Sequence, residues 1–321
     1  MASTTLTTVA GIIPSIWAPD IERAREKASA LVRSGILATP ASVQQQLDAG
    51  GQVINLPYTN PLTGSSEVIT TAGSMTPAAQ TGDACIAPRL FRGKTFSWDD
   101  IVDWVRQPGE SLPDAAVRTI GQWWAEDEQE ILIAALTGFF ATAGATTHTY
   151  DGTAATATAS AIINAAQKLG DMRNRVTALV CHSKVAKDLE VVDAAVTALR
   201  PGETDTQLGD GDLFMNRIRV VQDDLCPITT GTPDTYHSYL FTAGSVAYGR
   251  ATIPAEQAVE PFRAELASQS LLAVRGNIVI QLNGVNYAGA ANPTNTTLET
   301  GASWAKKWPD KMIGVIQLNT Q

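Results

Sequence analysis

The chain has 321 residues, 44% of them hydrophobic and only 17% charged, with a formal net charge of −9. That length allows one large domain or two smaller ones, each with a sizeable core. The acidic balance excludes a basic nucleic-acid reader, and a charge fraction below the roughly 25% of an ordinary soluble domain points to a large dry interior or to a surface covered by partners.

Cys85, Cys181 and Cys226 are odd in number and far apart. They make neither a disulfide framework nor a zinc motif, and read as buried free thiols. Residues 1–10 are Thr-rich and uncharged, unlike a signal peptide. The most apolar run, residues 131–145, is broken by Thr137, Gly138, Thr142 and Gly144, and is shorter than the ~20 residues of a spanning helix. A cytoplasmic product is expected.

The mixed-charge segment 20–35 opens on Asp20, placed to cap a helix whose apolar positions Ile21, Ala24, Ala28, Leu31 and Val32 fall at helical spacing. Gly35 is a plausible stop. Such a helix has little core of its own and reads as an arm lying on something else; its Arg23, Arg25, Lys27 and Arg33 either face DNA or form a solvated face. Residues 52–56 and 83–91 read as strands. The stretch between them is dense in turn formers, among them Pro57, Pro61, Gly64, Gly73 and Pro77. A connection of about 25 residues far exceeds the usual four to six. It is either disordered or an arm that gains order against a neighbour.

Residues 112–141 read as one helix about 45 Å long, against a usual length of about 12 residues. Ser111 offers a cap and Pro113 sits where the first turn tolerates it. Val117, Ile120, Trp124, Ile131, Ala135 and Phe139 form the packing stripe. Glu126, Asp127, Glu128 and Glu130 read as a solvated or inter-subunit face. Beyond it the pattern alternates: helix 157–169, strand 176–181, helix 183–199 capped by Ser183, strands 218–221 and 236–241. This describes an α/β layer. Residues 271–282 form a strand pair or one long strand, and a last strand covers 312–318.

Catalytic, cofactor and metal signatures fail one by one. Gly93-Lys94-Thr95 has Pro88 where a phosphate loop needs its leading glycine. Residues 203–212 miss the calcium-loop spacing. His148, His182 and His237 lack partners at ligand spacing, and His182-Ser183 has no nucleophile elbow around it. No catalytic, cofactor-binding or metal residue is expected.

The order of parts is what remains: an arm, a long hairpin-like extension, one very long helix, an α/β layer and a return strand. It resembles the major capsid proteins of tailed phages with the Hong Kong 97 fold, nearest to the unprocessed coat proteins of long-tailed phages. Ile13-Pro14-Ser15-Ile16-Trp17-Ala18-Pro19 looks like the family's N-arm, and Gly50-Gly51-Gln52-Val53-Ile54-Asn55-Leu56-Pro57-Tyr58 like the start of its extended loop. Arg92-Gly93-Lys94-Thr95-Phe96-Ser97 leads towards the spine helix. Asp223-Asp224-Leu225-Cys226-Pro227 is similar to the capsomer-centre loop, and Asn292-Pro293-Thr294-Asn295 with Trp304 to the C-terminal segment.

The resemblance implies an α+β chain divided into an N-arm (1–50), an extended loop with flanking strands (51–92), a peripheral domain with the spine helix (93–149), an axial domain (150–249), and return strands with a C-terminal segment (250–321). It implies a shell of hexamers and pentamers enclosing double-stranded DNA, held without sequence specificity. Further implied partners are a separate scaffolding protein, a portal and a decoration protein. The place is the virion capsid, with assembly in the host cytoplasm. Trp17, Pro57, Tyr58, Leu62, Val68, Ile69 and Met75 would make intersubunit contacts, and Asp223, Asp224, Leu225, Pro227 and Thr229 would line the capsomer centre. The rivals are an encapsulin-like shell and a cytoplasmic α/β enzyme.

Some members of the family cross-link through a lysine in the extended loop, but residues 57–80 contain none. Shells boiled in detergent and reductant should therefore run as one band near 34.0 kDa; a ladder of multiples would contradict this.

Overall fold

One strand of 14 residues and one helix of 29 set the frame. The computed structural model describes residues 18–21, 23, 25, 34–60, 62, 64–69, 77–99, 112–198, 213–214, 218–264 and 269–321. In chain order its strands are β1 (Leu37–Ala38), β2 (Val53–Thr59), β3 (Gly82–Pro88), β4 (Leu90–Asp99), β5 (Thr149–Asp151), β6 (Val176–Cys181), β7 (Leu213–Phe214), β8 (Ile218–Gln222), β9 (Ile228–Thr229), β10 (Thr235–Thr242), β11 (Val246–Arg250), β12 (Val259–Ala264), β13 (Gln269–Leu282), β14 (Val285–Tyr287), β15 (Trp304–Lys306) and β16 (Val315–Thr320). The helices are α1 (Ala41–Ala49), α2 (Leu112–Phe140), α3 (Ala159–Ala166), α4 (Ser183–Ala198), α5 (Ala255–Ala258) and α6 (Asn295–Leu298).

Two sheets carry the fold. In the five-stranded sheet β13 is central: β4 runs antiparallel along one edge, from Gln269↔Asp99 to Ile278↔Leu90. On the other edge β12 pairs with its first half and β11 with its second, and β1 adds in parallel to β11. The seven-stranded sheet has the order β5-β16-β10-β6-β8-β7, with β9 on β10. Its strands show why it lies between layers. Leu240, Leu179, Val220, Ile316 and Leu318 face α3 and α4, burying Ile162, Val185 and Leu189. Tyr239, Phe241, Val180 and Val315 point to the other side and join the end of α2. Alternate residues of one strand thus serve two cores, as the period of a strand requires.

Helix α2 joins the sheets. At 1.5 Å per residue it is about 44 Å long. Its first half packs Ile120 and Trp124 on Leu272, Val274 and Val259 of the five-stranded sheet. Its second half buries Ile131, Leu132, Leu136 and Phe139 with residues of both sheets, and Phe140 stacks on Tyr239 at 5.7 Å between ring centroids. Each such side chain contributes about 1.5–3 kcal/mol by leaving water.

Several expectations change. Helical backbone is already present at Ala18, so Asp20 lies inside a helix and is not its cap. Of the two alternatives for residues 271–282, the structure has the single long strand. Helix α4 begins at Ser183, and its first amides are capped from elsewhere: Ser183 N donates to Asp224 Oδ1 at 3.0 Å and Lys184 N to His182 Nδ1 at 3.1 Å. Helix α1 carries no signal that periodicity could find; only Val43 and Leu47 of its nine residues are buried. Finally β16, near the chain end, lies in the seven-stranded sheet while β11 lies in the five-stranded one. The division at 249/250 therefore cuts across both sheets.

Gly138 marks the closest approach to α2. A methyl there would run into the Leu298 carbonyl oxygen and the Trp304 indole nitrogen, which are themselves hydrogen-bonded at 2.6 Å. Gly138→Ala should lower stability by about 1–3 kcal/mol, although alanine is the better helix former. An unchanged melting temperature would show that the crossing is looser.

Candidate assembly surfaces

The extended hairpin is anchored at one end and bare at the other. Strands β2 and β3 pair from Val53↔Pro88 to Thr59↔Gly82. One more rung follows, Asn60 N donating to Thr81 O at 2.9 Å. At the base Ile54 and Ala87 are buried with Val43, Leu47, Ala247 and Val279. Arg89 donates there to Leu47 O, Gly51 O and Asn277 Oδ1 at 2.9–3.0 Å. Further out Tyr58 meets Trp308 edge to face at 5.6 Å, and Lys307 pairs with Asp83 at 2.8 Å. That hydrogen bond holds the Asp83 carboxyl below its ordinary range.

Past Asn60 and Thr81 no described residue is in a strand, and residues 62, 64–69 and 77–80 are all exposed. Leu62 is 68% exposed, Val68 89% and Ile69 77%. Of the expected contact set, Pro57 is exposed as well, whereas Tyr58 is half-buried against its own chain. Trp17 and Met75 lie outside the described residues. Among the expected spine-helix positions Ile120, Trp124, Ile131 and Phe139 are buried and Val117 half-buried.

The arm contributes a contact that the sequence did not disclose. Ile21 is buried against Ile120 and Trp124. Four residues on, Arg25 reaches mid-helix Glu128, with Nη1 at 2.8 Å from Oε2 and 3.1 Å from Oε1, and donates to Tyr248 Oη at 2.6 Å. Tyr248 in turn donates to Glu128 at 3.1 Å, and Arg250 adds a contact at 3.3 Å while lying over the Trp124 ring. Burial and the Glu128 charge push the Tyr248 hydroxyl upward in pKa. Two expectations are thereby corrected: Glu128 is no solvated or inter-subunit group, and Arg25 is spent inside the subunit, not on DNA.

The expected capsomer-centre loop is a tight turn at one end of the seven-stranded sheet. Asp223 Oδ1 accepts from Leu225 N at 3.0 Å, and burial raises its pKa. The Ser183 hydrogen bonds lower that of Asp224. Leu225 and Thr229 are exposed, Pro227 is half-buried, and Thr229 Oγ1 lies 2.8 Å from His237 Nε2. The same turn brings a serine, a histidine and an aspartate together: Ser183 Oγ is 3.4 Å from His182 Nδ1, and His182 Nε2 is 3.6 Å from Asp224. Both partners already accept helix amides from α4, so the trio caps a helix and leaves no free base beside a nucleophile. Among the described residues no group of His, Cys, Asp or Glu could hold a metal ion, and no helix is long and apolar enough to cross a membrane.

Fold and surfaces together define a Hong Kong 97-like shell subunit, with a hairpin extended beyond its own core. Over residues 97–314, more than half of the chain, the sequence matches the model of the Gp13-like family, major capsid protein 13-like. It is 30% identical over 320 residues to the major capsid protein of Bacillus phage SPP1, covering 95% of each chain. Its fold is that of the capsid of cyanophage Pam1 (TM-score 0.62, 15% identity, 100% of this chain and 99% of that one) and of the capsid of Ralstonia phage GP4 (0.60, 12%, 91% of each). The chain belongs to the Gp13-like family of major capsid proteins. It is a structural virion protein of a tailed phage, and its shell is built from copies of itself. The kinship favours the phage capsid over the encapsulin and enzyme rivals.

Removing Glu128 would leave Arg25 buried without its carboxylate. Glu128→Ala should cost about 3–5 kcal/mol, the usual price of stranding a buried charge. Asp20→Ala, which breaks the exposed Asp20–Arg23 pair, should cost less than about 1 kcal/mol. Denaturant unfolding of the two variants measures the difference; equal losses would contradict the burial of this cluster.

Proposed function

We propose that this subunit closes an icosahedral shell as hexamers and pentamers, and that residues 61–80 lie across a neighbouring subunit. The observation that carries this reading is the exposure of Leu62, Val68 and Ile69 on a connection whose pairing ends at Asn60 and Thr81. Burying each on a neighbour would contribute about 1.5–3 kcal/mol before ordering costs. Many such contacts around one subunit sum to a stable lattice. Asp223, Asp224, Leu225, Pro227 and Thr229 are the proposed lining of the capsomer centre. The protein acts as a building block without catalysis, assembles in the host cytoplasm and encloses double-stranded DNA without reading its bases. A scaffolding protein, a portal and a decoration protein are its further partners. Membership of a capsid family supports these last statements.

The test replaces residues 61–80 with a short Gly-Ser turn, leaving the β2–β3 ladder whole. The subunit should melt as before, yet fail to assemble, or give shells that fall apart in mild denaturant. Normal assembly with unchanged shell stability would remove the intersubunit role, and an unfolded subunit would place the segment in the core.

A further inference from the structure

Charge is segregated along the seven-stranded sheet. At the end holding the expected capsomer-centre turn lie Asp151, Asp223, Asp224 and Asp234, all beside the ends of β5, β8 and β10. At the other end, the 3-10 segment Gln167–Arg175 leads into β6, and the turn Asp310–Met312 leads towards β16. The two are tied by Lys311 Nζ and Asp171 at 3.1 Å. Here Lys168, Arg173, Arg175 and Lys311 are all exposed, and the acids of the two segments are Asp171, paired with Lys311, and Asp310, paired with Lys306. Arg173 donates to Gln167 Oε1 and Arg175 to Met172 Sδ, both at 3.2 Å and both neutral partners. A chain of net charge −9 thus concentrates exposed cations on one rim, about 20–25 Å from its acidic tip for strands of six to eight residues.

We propose that this basic rim, Lys168, Arg173, Arg175 and Lys311, is the surface that meets the phosphate backbone of the packaged double-stranded DNA. The inference rests on the reading of the shell as a DNA container and names where the subunit touches its contents. Residues 167–175 and 310–312 carry no aromatic ring, whereas protein interfaces concentrate aromatics and are depleted of lysine. Long exposed cationic side chains, held only by Asp171, Gln167 and Met172 of their own rim and open to solvent, suit phosphates, which demand charge but no set geometry. Contact of this kind goes to phosphates and is independent of sequence.

Unassembled full-length subunits are titrated with a short fluorescent duplex of mixed sequence from about 50 to 200 mM salt, and shell formation is followed separately by sedimentation. The variant Lys168→Gln/Arg173→Gln/Arg175→Gln should bind at least tenfold more weakly at the lower salt, with a log–log salt slope shallower by about 2–3. A control losing as many charges elsewhere, Lys94→Gln/Lys187→Gln/Arg275→Gln, should bind as the parent does. If the triple variant melts early, Lys168→Gln and Lys311→Gln alone should each reduce the slope by about one. No binding by the parent, equal losses in variant and control, or lost assembly with unchanged DNA binding would each overturn the proposal. The last result would make the rim a contact between copies. A parent that forms no shell even with its scaffolding protein present would instead overturn the capsid reading.

Discussion

Everything in this subunit hangs on one helix having to satisfy two sheets at once. The buried side of α2 starts on Leu272 and Val274 and ends on Tyr239, so neither sheet completes its core without it. A helix of average length could cover one sheet only. Length here is a packing requirement, and close approach enforces it: Gly138 lets the Leu298–Trp304 segment lie directly on the helix. Midway along, Glu128 gathers Arg25, Tyr248 and Arg250. Hydrophobic contacts slide easily, but a buried carboxylate with charged partners has few satisfactory positions. The cluster therefore fixes where the arm and β11 sit on the helix more than it adds to stability.

That rigid frame explains what is left over. The base of the hairpin is nailed down by Arg89 and by Ile54 in its own small core, while further out Leu62, Val68 and Ile69 stay exposed among the described residues. An isolated two-stranded ladder is marginal in water. A subunit built this way is complete as a fold and incomplete as a surface, which is what a lattice needs. The arm behaves oppositely. It begins as a segment without an evident core, yet Ile21 and Arg25 dock on the same chain.

How far this could be read from the residues depended on range. The period of Val117, Ile120, Trp124, Ile131 and Phe139 located α2 to within a residue at its C-terminal end, because helical spacing is local. The apolar residues of 271–282, interrupted by Arg275, Gly276, Asn277 and Gln281, pointed to strand without deciding between one and a pair, and the 14-residue length followed once β4, β11 and β12 shared it. Glu128 was misread because three acids beside it make a solvated pattern, while its partners stand 103 and 122 residues away. Ser183 looked like a cap by residue type, but Asp224 supplies the oxygen from 41 residues off. Sheet membership of β16 has no local signature at all. The exposure of residues 62, 64–69 and 77–80 was legible for the reverse reason: turn formers without periodicity can build no core.

The central claim is that frame and arm are internal to one subunit while residues 61–80 belong to the contact with the next. An electron cryomicroscopy map of assembled shells tests this most directly. Density should join Arg25 to Glu128 within each subunit and show Leu62, Val68 and Ile69 seated on a neighbour. A map in which residues 61–80 fold back onto their own subunit, or in which Glu128 takes its arginine from another copy, would contradict it.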